Sequence, residues 1–194
     1  MSAGAAAASA TEAVIAATRK WLERAVIGLN LCPFAKAVHI KGQIRYVVSQ
    51  ARAPEDLLSD FARELRLLAN ADPDLCDTTL LIHPQALADF LDYNDFLDVA
   101  DAAIEEAGLE GVLQVASFHP DYQFAGTEPH DIANHTNRSP YPTLHLLREA
   151  SVDRAVAAYP QVEHIYESNI ATLQRLGHAG WEALWDDPPH DAGS

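Results

Sequence analysis

The sequence predicts an α/β protein, a single domain built on a small, mainly parallel sheet of about four strands with helices packed on it. Three observations carry this expectation. Short β-rich apolar runs, IRYVVS, TTLLIH and VLQVASFH, alternate with amphipathic segments long enough to cross back over a sheet. Two of these runs end in the same pair, His83-Pro84 and His119-Pro120, and proline stops a strand because it lacks an N–H for the ladder. The chain has 194 residues, 48% of them hydrophobic, which suits one buried core. A ferredoxin-like α+β sandwich is the alternative arrangement of the same elements.

Taken in order, residues 1–8 are Ala-rich and read as a frayed end, residues 9–185 as the domain and residues 186–194 as a loose tail. Ser9-Ala10-Thr11-Glu12 fits a capping box that opens a helix running to Ile27, and Gly28 stops it. The run 44–49 is the first strand. Pro54-Glu55-Asp56 opens the next helix, with proline at the first position and acids on the positive end of the dipole. Its core side is Leu57, Leu58, Phe61, Leu65 and Leu68. Residues 78–83 form the second strand. The following helix takes Asn94 or Asp92 as its cap, turns Phe90, Leu97, Ala100 and Ile104 inward, and ends before Gly108. Asp92, Asp95, Asp98, Asp101 and Glu105 share one helical face, which reads as a solvated stripe. Residues 112–119 form the third strand and 142–149 a fourth, with helices near 152–159 and 162–176. Trp181 and Trp185 then pack as a cover.

Charge narrows the function classes. A formal charge of −15 and a pI near 4.8 disfavour nucleic acid and anionic membrane surfaces, since phosphate binding rests on basic groups. No apolar run is long enough to span a bilayer, and the opening MSAGAAAASATEA has no basic region followed by an apolar one, so a cytoplasmic protein is expected. Cys32 and Cys76 are too few for a disulfide framework and read as reduced thiols. Residues 67–137 contain no Lys or Arg yet hold half of the chain's 28 acids. Residues 25–54 and 132–148 contain no acid, and carry Lys36, Lys41, Arg45, Arg52, Arg138 and Arg148. If those runs meet, they make a local positive field suited to a small anion.

In a parallel sheet, strand carboxyl ends share one edge, and ligands bind outside it. His83 and His119 each finish a strand, so both belong on that rim. The connection 119–141 has no strand or helix period and is long enough to be functional. Within it, Asn137, Arg138 and Ser139 place an amide, a guanidinium and a hydroxyl in a row, a set suited to a carboxylate or phosphate. Tyr122 lies in its ordered start. Cys32 precedes Pro33, which would set its sulfur at a helix N-terminus where the dipole lowers a thiol pKa. His119, His130, His135 and His145 fall close together with Asp121 and Asp131, but no zinc spacing such as HExxH or paired CxxC occurs, and no metal is expected. GxGxxG, Walker and GxSxG motifs are missing, which leaves any cofactor unassigned.

The segments LNLCPFAKAV, IRYVVS, TTLLIHP, DFLDYNDFLD, QVASFHPDYQFAGT and TNRSPYPTLHLLREAS together resemble the DUF1415 family of uncharacterised bacterial proteins. FHPDYQFAGT and NRSPYPTLHLLRE carry most of the resemblance, which implies a bacterial cytosolic protein and supplies no catalytic residues. The residues themselves predict an enzyme acting on a small anionic metabolite at the strand carboxyl ends. In that reading His119 is acid or base, His83 assists, Cys32 is a possible nucleophile, and Asn137, Arg138, Ser139, Arg148 and Tyr122 bind the substrate. The alternative is a binding module that uses the same rim without turnover.

Overall fold

The computed structural model describes residues 3–158 and 164–186. Its first helix, α1 (Ala3–Trp21), continues as a π-helical turn, Leu22–Ile27, up to Gly28. A Cβ on Gly28 would lie 2.3 Å from the Arg24 carbonyl oxygen, so glycine permits the tight exit. α1 begins well before Ser9, and the Ser9 to Glu12 sequence lies inside the helix instead of capping it. Alanine, the strongest helix former, carries those first turns.

α2 (Ala35–Ile40) is a short helix leading to β1 (Ile44–Val48), and α3 (Pro54–Asn70) starts at Pro54 as expected. β2 (Thr78–Ile82) is followed by α4 (Phe90–Glu106). The α4 cap is Asp89, not Asn94 or Asp92: its carboxylate accepts the Leu91 and Asp92 N–H groups at 2.8 and 3.2 Å. β3 (Leu113–Phe118) leads into a long loop with a 3₁₀ turn at Ile132–Thr136, then β4 (Thr143–Arg148) and α5 (Glu149–Ala158). α6 (Ile165–Ala183) bends at Gly177, where φ is 64°. The expected helix ends at 159 and 162, and the tail beyond 186, lie outside the described residues.

The strand order is β1-β2-β4-β3, with β1 parallel to β2 and β4 antiparallel to both of its neighbours. The sheet is therefore mixed, and the expectation of a mainly parallel sheet is corrected. After β3 the loop carries the chain back to the rim where β3 ended, so β4 has to run in reverse. Its apolar sequence suits the central place, where Leu144 and Leu146 are fully buried. β2 and β3, both antiparallel to β4, still point the same way, so His83 and His119 stand at one rim.

Helices cover both sheet faces, unlike the one-sided ferredoxin-like alternative. On one face α3 and α4 bury Leu57, Phe61, Leu65, Tyr93 and Phe96 against Leu81, Leu144 and Leu146. On the other, Trp21, Leu22, Ala25 and Val26 pack with Ile44, Tyr46 and Phe118, and the C-terminal Trp181 and Trp185 close over them. Each Leu or Phe fully buried in this way stabilises the fold by about 1.5–3 kcal/mol. The strand period of two explains the sorting, since Tyr46 and Val47 point to opposite faces.

Candidate functional site

His83 and His119 are fully buried at the rim and face the α4 side of the sheet. Nδ1 of His83 hydrogen-bonds the Ala86 carbonyl at 3.0 Å, and Nε2 of His119 the Leu87 carbonyl at 3.2 Å. Both acceptors belong to the turn joining β2 to α4, in which Leu87 has a φ of 55°. That left-handed conformation is costly for leucine, and the two imidazoles brace it. Nδ1 of His119 also accepts the Asp121 N–H at 3.0 Å, so the ring is a neutral Nε2–H tautomer with both nitrogens engaged. Burial lowers the pKa of His119, and lowers that of His83 to about 4. The His-Pro pairs thus end their strands and turn each imidazole onto backbone. Neither ring is among the described residues that line the cavity of about 460 Å³ formed with α1 and the C-terminal tryptophans.

The Tyr93 ring sits beside both, 5.8 Å from His83 and 5.1 Å from His119 between centroids. Its hydroxyl donates to the Thr143 carbonyl at 2.9 Å and accepts the Phe118 N–H at 3.0 Å. Sequence reading missed Tyr93, although its spacing from Phe96 and Ala100 marks the same inward face of α4.

The cavity lies on the other side of the sheet. Its volume is about 460 Å³, within the range of small-ligand pockets. Ala17, Lys20 and Trp21 of α1 form one wall, and Trp181 and Trp185 another. Pro120, His135, Arg138, Ser139 and Pro140 of the rim loop complete it. No Asp or Glu is among these described lining residues, in a chain of strongly negative charge. Lys20 and Arg138 are its cations, while Lys20 Nζ also donates to the Trp185 carbonyl at 3.0 Å.

Arg138 does not offer its whole fork. Nε donates to the Tyr122 carbonyl at 3.2 Å and Nη2 to the Pro129 carbonyl at 2.7 Å, which pins the loop and leaves Nη1. Burial lowers its pKa, and the nearby Asp121 charge opposes that effect. Ser139 is buried and its hydroxyl donates to the Tyr141 carbonyl at 2.7 Å. Asn137 donates to the Ser117 carbonyl at 3.1 Å, and Tyr122 packs 5.0 Å from both Phe90 and Phe124, so these two shape the loop from outside the cavity lining.

Arg148 and Cys32 depart from expectation. β4 runs away from the rim, which puts Arg148 at the opposite end of the sheet from Arg138. There it is buried, with Nη2 donating to the carbonyls of Leu68, Ala71 and Cys76 at 2.6, 2.8 and 3.3 Å. It caps the end of α3 and cannot reach the Arg138 site. Arg45 pairs with the buried Glu64 at 2.9 Å, so its charge is spent on α3. Cys32 packs against the Trp21 cluster, and burial raises its pKa more than the Phe34 and Ala35 backbone groups lower it. The helix expected to open at Pro33 instead starts at Ala35 with Phe34 as its cap, and desolvation outweighs the two backbone hydrogen bonds.

His135, like Lys20, is a titratable lining residue that no expectation placed here. It is 8% exposed, and its ring packs edge-on to Trp181 at 4.7 Å and to His178 at 5.6 Å. Burial, then the Arg138 charge, lowers its pKa to about 4. The Ile132 carbonyl favours the protonated ring slightly, yet Nδ1 makes no hydrogen bond of acceptable geometry. Of the other histidines considered together with it, His145 lies within the sheet against Thr78 at 2.7 Å and His119 is held by Leu87. Among the described residues no three His, Cys, Asp or Glu side chains group as a metal site.

A family model described as a protein of unknown function, DUF1415, matches residues 13–183. The chain belongs to this family. The DUF1415 match begins within α1 and ends at the close of α6, so it takes in the sheet, the rim loop and the described cavity-lining residues except Trp185. No curated protein and no solved structure matches the chain. No helix among the described residues is long and apolar enough to cross a membrane.

Proposed function

We propose that this protein binds a small organic anion in the cavity between α1, the rim loop and the C-terminal tryptophans, as a cytoplasmic protein with no nucleic-acid partner. The observation that carries the reading is that Lys20 and Arg138 both line this cavity, whose described lining residues include no Asp or Glu, inside a protein of formal charge −15. Such a pocket attracts an anion locally while the outer surface repels large polyanions. Binding without turnover is the better supported form, because His83, His119 and Cys32 stand outside the cavity lining.

One observation favours a second, enzymatic form. His135 places in the lining an imidazole that is neutral at pH 7, a side chain able to take a proton from a bound ligand. Calorimetric titration with a panel of carboxylates and inorganic phosphate tests the binding reading. Lys20→Met should weaken the best anion about 10- to 100-fold, the usual worth of a charged hydrogen bond. Unchanged affinity would overturn the assignment of the cavity. Ligand consumption that His135→Gln abolishes, with binding retained, would select the enzymatic form.

A further inference from the structure

Independently of the cavity, we infer that two copies of this chain pair antiparallel through their β3 strands, joining two four-stranded sheets into one. β3 is an edge strand, bonded on one side to β4. The Glu149 N–H donates to the Val112 carbonyl, and in an antiparallel ladder alternate residues face the partner strand. Val112, Gln114, Ala116 and Phe118 therefore turn their backbone groups toward β4, and Leu113, Val115 and Ser117 turn theirs outward. Two of the outward groups are satisfied within the chain. The Leu113 N–H donates to the Leu109 carbonyl at 3.0 Å, and the Ser117 carbonyl accepts from the Asn137 side chain at 3.1 Å. Among the described residues nothing bonds the Val115 N–H, the Val115 carbonyl, the Leu113 carbonyl or the Ser117 N–H.

These open groups complement themselves. With Val115 on a two-fold axis, the two Val115 residues exchange both hydrogen bonds, and each Ser117 N–H meets the carbonyl of the partner's Leu113. The remaining opposed groups, the Leu113 N–H and the carbonyl of the partner's Ser117, are the two already satisfied inside each chain. That correspondence selects a second copy over an unrelated strand. Charge permits the pairing. Residues 111–119 hold no Asp, Glu, Lys or Arg, and in this register Glu110 falls opposite Pro120 and Asp121 opposite Leu109. No acid then meets an acid across the ladder, in a protein of formal charge −15. Val112, 46% exposed, falls opposite the partner's Phe118. The other edge, β1, carries the exposed Arg45, a charged residue of the kind that guards an edge against pairing. The open stretch 113–117 is about 17 Å long, whereas a stable complex buries about 1,200–2,000 Å². The dimer is accordingly weak and dissociates on dilution.

The test measures mass by sedimentation equilibrium from about 1 μM to about 1 mM, the span of weak complexes, and amide exchange by NMR over the same dilution. Mass should rise toward that of two chains, and the Val115 and Ser117 amides should gain protection in step with it. The Gln114 and Ala116 amides, which face β4, should be protected at every concentration. Gln114→Lys places a charged guard on this edge and should weaken the dimer about 10-fold or more, whereas Val48→Lys on β1 should leave it unchanged. The exchange comparison uses the unaltered chain, so it decides the matter even where a variant fails to fold. A chain that stays monomeric at about 1 mM overturns the inference. So does a dimer whose Val115 amide exchanges as fast as in the monomer, or one that Val48→Lys dissociates and Gln114→Lys does not.

Discussion

His83 and His119 hydrogen-bond consecutive carbonyls, Ala86 and Leu87, of a single turn. One histidine follows β2 and the other follows β3, so the pair ties the start of α4 to two strand ends that β4 holds apart. The arrangement gives both His-Pro sequences a mechanical reason: they fix the rim from behind.

If His119 is a brace, His119→Ala leaves the Leu87 carbonyl and the Asp121 N–H without their partner. The loss of two hydrogen bonds and ring packing should cost about 2–4 kcal/mol in urea unfolding, with anion affinity at the cavity nearly unchanged. The double variant with His83→Ala should fall short of additivity, because both act on one turn. A stable His119→Ala protein that has lost its ligand would contradict the brace.

Acid should destabilise the fold over a defined window. The pKa values of His83 and His145 fall from 6.5 to about 4 on folding, and desolvation is the leading cause in each. The unfolded chain therefore binds protons that the folded one refuses. This contribution to stability is complete above pH 6.5, is lost as pH falls toward 4, and is then exhausted. Each such histidine adds up to about 1.4 kcal/mol per pH unit to the slope. Urea unfolding from pH 7 to 5 should show that slope, reduced by up to one proton in His145→Gln, whose amide still reaches toward Thr78. A flat profile would mean that these rings are protonated in the native state.

Arg148 should matter for stability and not for ligand. Arg148→Ala removes the donor shared by the Leu68, Ala71 and Cys76 carbonyls, at a cost of about 2–4 kcal/mol. With a chain of this size that lowers Tm by about 2–4 °C per kcal/mol. Weaker anion binding at unchanged Tm would return Arg148 to the site.

Much of this architecture was legible in sequence because the signals are local. Strand period, the first-turn Pro54 and the strand-ending prolines depend on neighbouring residues, and each element appears close to where it was expected. The place of β4 between β2 and β3 was hidden, because strand order depends on the path of the 119–142 loop and not on the residues of TLHLLR. The site shows the same division. Arg138 and Ser139 were visible as chemistry beside prolines, whereas Lys20 and Trp21 reach them only through the packing of α1 on the sheet. His135 was visible only as one of several histidines, since enclosure by Trp181 and the α6 bend gives it its character.

Cys32 offers a check on the balance between dipole and burial. With its thiol pushed up by desolvation, iodoacetamide at pH 7 should modify it more slowly than free glutathione. Faster modification would show a thiolate and restore the nucleophile.

The most direct measurement follows the three tryptophan indole N–H signals by two-dimensional NMR while 2-naphthoate, and separately inorganic phosphate, is added. All three indoles line the one cavity, so the resonances of Trp21, Trp181 and Trp185 should shift together along a single saturating curve with at least one of the two anions. A calorimetrically bound anion that leaves all three unmoved, while shifting the exposed acidic face of α4 at Asp92 and Asp95, would contradict the cavity as the ligand site.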